Sequence, residues 1–195
     1  MLHDDHSSAR GRGRLAVARL VGSGSADAAA GPRVVVAVIS DTHIPRGNRR
    51  LPEACSAHLS SADLILHGGD LASAAFLAEL RSFGPPVNAV HGNVDEPALH
   101  RALPERRVVS VGEWRVGIVH DAGPAPGREA RLISAFPGCA AIIYGHTHVP
   151  QIHRQDGIWI LNPGSPTERR RAASRTMIEL VVTPEKLIPR LIEMK

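Results

Sequence analysis

The sequence predicts an α/β layered fold in which a pair of mixed β-sheets is flanked by helices. Three observations carry this. Val34-Val35-Val36-Ala37-Val38-Ile39 is an unbroken, mostly β-branched run, the signature of a strand buried on both faces. Similar runs recur at Leu64–Leu66, Val87–Val90, Val116–Val119 and Ala140–Tyr144, with helical stretches between them over roughly Pro52–Leu59, Ala72–Ser82 and Gly127–Phe136. Strands alternating with helices build α/β layers. In the C-terminal third the pattern changes: Gln151–Arg154, Gly157–Leu161, Thr176–Thr183 and Lys186–Met194 read as short strands joined by turns, with no helices between.

At 195 residues the chain fits one domain, because a single core commonly organises about 100–200 residues. Hydrophobic residues make up 43% and aromatic residues only 3%, so aliphatic side chains must fill the core. The apolar runs are far shorter than the stretch of about 20 residues that spans a bilayer, and no membrane segment is expected. Residues 1–32 are rich in Gly, Ser, Ala and Arg without sustained apolar periodicity. They read as a flexible N-terminal arm, leaving residues 33–195 as the folded domain. Within the arm Leu15–Val21 is interrupted by Arg19 and preceded by acidic residues, a poor fit to a signal peptide. Cys55 and Cys139 stand alone without CxxC spacing, which points to reduced thiols in a cytoplasmic protein. The formal charge of +4 suits a phosphorylated substrate or a nucleic acid, and equally an ordinary charged surface.

The chemistry-bearing residues cluster at the strand ends. Ser40-Asp41-Thr42-His43 follows the first strand, His67-Gly68-Gly69-Asp70 the second, and His91-Gly92-Asn93-Val94-Asp95 the third. His120-Asp121 follows a fourth, and Gly145-His146-Thr147-His148 a fifth. In open α/β sheets, functional groups gather in the crevice beyond the carboxyl ends of the strands. A core has no need of these side chains, and burying them unpaired is costly. Each short piece is common alone, since Gly-Asp after a strand usually makes a turn. His146-X-His148 is more specific, because imidazoles at i and i+2 share a local face only where the chain leaves strand geometry. Gly145 is expected to permit that departure.

Asp41-X-His43, Gly69-Asp70, Gly92-Asn93, His120 and Gly145-His146-X-His148, followed by Asn162-Pro163-Gly164-Ser165, resemble the calcineurin-like metallophosphoesterase superfamily. The similarity is to its small branch of bacterial and archaeal phosphodiesterases, which also includes the retromer scaffold subunit. It spans about residues 34–195. The resemblance implies a four-layer αββα sandwich with a dinuclear metal site at the strand ends. It also implies a ligand set: Asp41, His43, Asp70 and His148 for one ion, and Asp70 as a bridge to a second held by Asn93, His120 and His146. Asp70, Asn93 and Asp95 would serve the reaction, in which a metal-bridging hydroxide attacks phosphorus. A bridging carboxylate holds two ions roughly 3.5–4 Å apart, and a water they share loses its proton near neutral pH. Nitrogen and oxygen donors without cysteine suit Mn²⁺, Fe, Zn²⁺ or Ni²⁺, with Mn²⁺ the expected activating ion.

The sequence departs from its relatives at two places. Many members carry His directly after Gly-Asn, placed to protonate the leaving oxygen; here Val94 stands there, followed by Asp95. A missing general acid removes a factor of about 10²–10⁴, so good leaving groups are favoured. Asp95 either orients an imidazole or caps the next helix. The fourth strand leads into His120-Asp121-Ala122 where relatives often show His-Gly-His, so the second histidine is lost, and Asp121 either narrows the pocket or binds a histidine ring. His67 and His91 read as supporting residues, and His3, His6, His58, His100 and His153 as solvated. The run Glu168-Arg169-Arg170-Arg171 either reaches a phosphate or a nucleic-acid backbone, or is a solvated loop.

The leading expectation is a metal-dependent phosphodiesterase or phosphatase acting on a small phosphate ester, with homo-oligomers possible. The alternative is a non-catalytic protein-interaction scaffold on the same fold; such members erode the histidine of the first motif, whereas His43 is retained. A nuclease ranks third: the basic arm favours it, but aromatic stacking platforms are scarce, with Trp114 and Trp159 far apart in sequence.

Overall fold

A computed structural model describes residues 32–194. The expected arm, residues 1–32, lies outside the described residues apart from Pro32. The element order is β1 (Val34–Ile39), α1 (Glu53–Ser61), β2 (Leu64–His67), α2 (Ala74–Ser82), β3 (Val87–Ala89), α3 (Pro97–Ala102), β4 (Arg106–Val111), β5 (Trp114–Val119), α4 (Arg128–Ala135) and β6 (Ala141–Tyr144). Four strands complete the chain: β7 (Gln151–Gln155), β8 (Ile158–Asn162), β9 (Arg175–Val182) and β10 (Leu187–Met194).

Two five-stranded mixed sheets result, ordered β10-β9-β1-β2-β3 and β4-β5-β6-β8-β7. In the first, β1, β2 and β3 run parallel, β9 is antiparallel to β1, and β10 is antiparallel to β9. In the second, β5, β6 and β8 run parallel, with β4 and β7 as antiparallel edges. The central strands read as continuous apolar runs because each of their faces lies on a different core. Val36, Val38 and Leu66 of the first sheet meet Val116, Ile118, Ile143 and Leu161 of the second. The alternate residues Ala37, Ile39 and Ile65 pack on Leu59, Phe76, Leu80 and Leu99 of α1 to α3. On the far side Ile142, Tyr144 and Ile160 pack on Leu132 of α4 and the adjoining Phe136. The order of layers is therefore helices, sheet, sheet, helix, as expected. Burial of each large aliphatic side chain contributes about 1.5–3 kcal/mol.

Two elements had no counterpart in the sequence reading. β4 is an edge strand whose residues alternate between exposed and half-buried up to Val111, so it has no continuous apolar run. α3 is only six residues long and starts at Pro97, too short for a helical period to show. α2 begins at Ala74 rather than Ala72, because Ser73 is its N-cap and accepts the Phe76 N–H at 3.1 Å. Cys55 and Cys139 are buried free thiols. No helix among the described residues is long and apolar enough to cross a membrane.

Candidate metal centre

The parallel strands of both sheets end on the same side of the sandwich, and their following loops meet there. The backbone after β1 turns sharply: Asp41 and His43 have φ of 57° and 49°. Asp70 after β2 has φ 59°, and His146 and His148 after β6 have φ of 66° and 59°. Left-handed backbone costs a non-glycine residue about 1–2 kcal/mol, and such strain gathers where geometry serves a site. Five of the seven expected ligands carry it. Gly145 itself has no positive φ; the left-handed turns fall on His146 and His148. Gly145 is required by space, since a Cβ there would overlap Ser40 Oγ and lie 2.8 Å from Asp41 Oδ2. A Cβ at Gly92 would likewise overlap the Asp70 carboxylate.

The side chains form one continuous series. His148 Nε2 lies 3.3 Å from Asp41 Oδ1 and 3.2 Å from His43 Nε2. His43 Nε2 is 3.6 Å from Asp70 Oδ2, and the same oxygen is 3.4 Å from His120 Nε2. His120 Nε2 is 3.1 Å from Asn93 Oδ1, which is in turn 3.0 Å from His146 Nδ1. Asp70 thus stands between two groups of donors, with Asp41, His43 and His148 on one side and His120, Asn93 and His146 on the other. Asp41-His43-His148 and Asp41-Asp70-His120 each bring three ligand atoms within 4.8 Å of one another, enough to hold a metal ion. Converging buried imidazole nitrogens and carboxylate oxygens fit divalent cations.

Electrostatics separates these groups. Burial pushes the Asp41 carboxyl up to about 7, against the pull of His120 and the Ser40 hydroxyl. Burial also opposes the Asp70 charge, yet the hydrogen bond and positive charge of His120 hold that carboxyl down at about 2. His120 is raised to about 8, because Asp70 and Asp41 outweigh its burial. Burial lowers His43, and lowers His148 to about 4, with Arg170 adding to both effects. Two neutral imidazoles therefore keep ring-nitrogen lone pairs available beside a carboxylate.

Supporting residues fix the loops. His67 is fully buried and held down at about 3 by burial. Its Nδ1 accepts the Gly69 N–H at 3.1 Å, which leaves Nε2 to donate to Thr42 Oγ1 at 3.1 Å. Asp95 orients no imidazole and does not cap α3: its oxygens accept the N–H groups of Ala72 at 2.6 Å and Gly92 at 2.7 Å, bracing the loops after β2 and β3. Asp121 accepts the Gly123 N–H at 2.7 Å rather than a histidine ring. It helps to line a cavity of about 290 Å³, which opens beside Asn93 and His120 and includes the tilted His91–His100 ring pair, 4.2 Å apart. Val94 is 45% exposed, while its N–H donates to Asp70 Oδ1 at 3.1 Å.

Several contributors were not legible. Ser40 Oγ donates to Asp41 Oδ2 at 2.7 Å. Asn162 Nδ2 donates to Gly145 O at 3.0 Å, and Ser165 Oγ to Asp41 O at 2.8 Å. Thr167 Oγ1 donates to Thr42 O at 2.8 Å. The Asn-Pro-Gly-Ser turn was visible in sequence; that it clamps the ligand loops of both sheets was not, since those loops lie up to 125 residues away. Glu168 accepts from Arg49 at 3.4 Å and pairs with Arg170 at 3.3 Å, so this part of the charge run is engaged rather than wholly solvated.

A model of the calcineurin-like phosphoesterase superfamily domain matches residues 34–184. The chain belongs to this superfamily. A protein of Methanothermobacter thermautotrophicus named as a probable metallophosphoesterase is 37% identical over 158 residues, covering 79% of this chain and 89% of its own length. Among solved structures, Vps29 of Chaetomium thermophilum superposes with TM-score 0.71 at 22% identity, covering 83% of this chain and 86% of its own. A structure described as a novel archaeal phosphodiesterase superposes with TM-score 0.62 at 20% identity, covering 82% of this chain and 99% of its own. These two likenesses establish the shared fold. The family assignment rests on the domain match and the archaeal relative.

Proposed function

We propose that this superfamily member is a metal-dependent phosphodiesterase acting on a small phosphate ester. The observation that carries the proposal is Asp70, whose Oδ2 lies between His43 at 3.6 Å and His120 at 3.4 Å and so joins two sets of nitrogen and oxygen donors. Two divalent ions, with Mn²⁺ our choice, would supply an activated water and offset the charge gathering on the phosphoryl group. Asp41, His43, Asp70 and His148 would hold one ion, and Asp70, Asn93, His120 and His146 the other. The protein's own part is to hold these donors fixed, so that little reorganisation accompanies the reaction. The cavity beside Asn93 and His120 offers room for one arm of an ester. The absence of a histidine after Asn93 supports a preference for good leaving groups, because the exposed Val94 donates no proton from its side chain.

The retained donor set favours an enzyme over a scaffold. A nuclease is less favoured on geometry. Trp114 and Trp159, far apart in sequence, line one small cleft with Arg154 and Lys186. Both start from the amino-terminal part of their strands, so neither forms a stacking platform over the metal centre. The superfamily fold and the short apolar runs suit a cytoplasmic protein, and self-association is open to a direct test by sedimentation.

Hydrolysis of bis-p-nitrophenyl phosphate beside p-nitrophenyl phosphate tests the proposal, using chelator-treated protein with and without Mn²⁺. Mn²⁺-restored cleavage that is faster on the diester is expected. No cleavage with Mn²⁺, Ni²⁺, Fe²⁺ or Zn²⁺ would transfer the reading to a scaffold.

A further inference from the structure

His148 carries an unanswered buried polar atom. Its side chain is fully buried, and Nδ1 is one of two buried side-chain nitrogens without a hydrogen-bond partner among the described residues. The other ring nitrogen, Nε2, faces Asp41 and His43 in the metal centre. A buried N–H without an acceptor costs about 1–3 kcal/mol, so whatever faces Nδ1 decides how the ring is used. Glu168 faces it: Oε2 lies 3.8 Å away. The same oxygen is 3.4 Å from Arg49 Nη1 and 3.3 Å from Arg170 Nε.

Glu168 is placed for this by the turn described above. Its own N–H donates to Ser165 Oγ at 3.0 Å, and that hydroxyl donates to the main chain of Asp41. The carboxylate is thereby tied to the loop that carries the ligands of the first sheet. Arg49, from the segment after β1, and Arg170 lie within ion-pair distance of this carboxylate and hold it beside the ring. A carboxylate facing Nδ1 at 3.8 Å favours the tautomer with hydrogen on Nδ1. That tautomer leaves the Nε2 lone pair directed into the centre. A histidine that ligates a metal generally donates its second N–H to a carboxylate or carbonyl, which fixes the ring and raises its basicity.

We propose that Glu168 is the positioning residue of His148, fixing its Nδ1–H tautomer for metal binding, and that Arg49 and Arg170 hold Glu168 in place. The inference rests on the metal-centre reading. It turns part of an apparently solvated charge run into a working component of the site, specific to the side occupied by Asp41, His43 and His148.

The test measures metal binding rather than turnover. Calorimetric titration of the chelator-treated full chain with Mn²⁺ should give two classes of site. Glu168→Ala should weaken one class about 10–100-fold, the usual effect of losing such a partner, and leave the other unchanged. Glu168→Gln should fall between, and Arg49→Ala/Arg170→Ala should weaken the same class. Nitrogen NMR of the His148 imidazole in metal-free protein should show the Nδ1–H tautomer in wild type and a mixture in Glu168→Ala. Circular dichroism checks that the variants are folded. The Glu168 main chain also approaches this ring. Unchanged Mn²⁺ affinities and an unchanged tautomer in folded Glu168→Ala would assign the role to that main chain and overturn the proposal. Failure of wild type itself to bind Mn²⁺ would overturn the underlying metal-centre reading, and the proposal with it.

Discussion

The two sides of the candidate centre are built differently. Asp41, His43 and His148 are at most 2% exposed, and Ser40, Ser165 and Glu168 brace them. On the other side His120 is buried while Asn93 and His146 are exposed, and an open cavity adjoins them. The first side resembles a closed structural site and the second one that keeps positions free for exchange, a distinction drawn between closed and catalytic metal sites. Asp70 belongs to both. Substrate should therefore approach from the Asn93 side, while the Asp41 side should hold its ion more rigidly.

The largest expected effect comes from Asp70, because it is shared. Asp70→Asn should reduce Mn²⁺-dependent cleavage of bis-p-nitrophenyl phosphate to background, well beyond the about 10–100-fold typical of lost supporting partners. The fold should survive, since only one polar side chain changes. Substantial residual activity in the folded variant would break the two-sided picture.

A smaller effect should separate the sides. His148→Ala removes a fully buried ring and should lower thermal stability by about 1–3 kcal/mol, whereas His146→Ala, at an exposed position, should stay within about 0.5 kcal/mol. Both should impair activity. Equal destabilisation by the two substitutions, read from melting curves of the metal-free proteins, would show that the sides do not differ in this way.

The smallest effect concerns pH. In the metal-free protein Asp41 binds a proton below about 7, and His120 below about 8. A cation must displace both, so Mn²⁺ affinity should rise as pH increases from about 6 to 8, with proton release on binding. His148, held at about 4, should add no proton in that window. Calorimetry in buffers of different ionisation enthalpy measures the protons released. An affinity that is flat over this range would contradict the assignment of protons to Asp41 and His120.

The sequence made the layers legible because strands buried on both faces cannot hide their apolar character: Val34–Ile39 and Ala141–Tyr144 match strands almost residue for residue. It also made the donors legible, since Asp, His and Asn repeatedly followed such runs. What it could not show were long-range partners. Asp95 looked catalytic or helix-capping from its place after Asn93, yet its carboxylate is occupied by the Ala72 and Gly92 N–H groups. Gly145 read as permitting the chain to leave strand geometry; that it also makes room for Ser40 across the sheets was not visible. Glu168 looked solvated in a charge run, and only folding sets it against His148. β4 escaped because its residues alternate between exposed and half-buried up to Val111 and form no continuous apolar run.

The most direct test of the account is the metal content of wild type and Asp70→Asn after equilibrium dialysis of chelator-treated protein against Mn²⁺. A dinuclear centre joined by Asp70 predicts two ions bound per wild-type chain and a marked loss from both positions in the folded variant. Two ions retained in Asp70→Asn, or none in wild type, would contradict it.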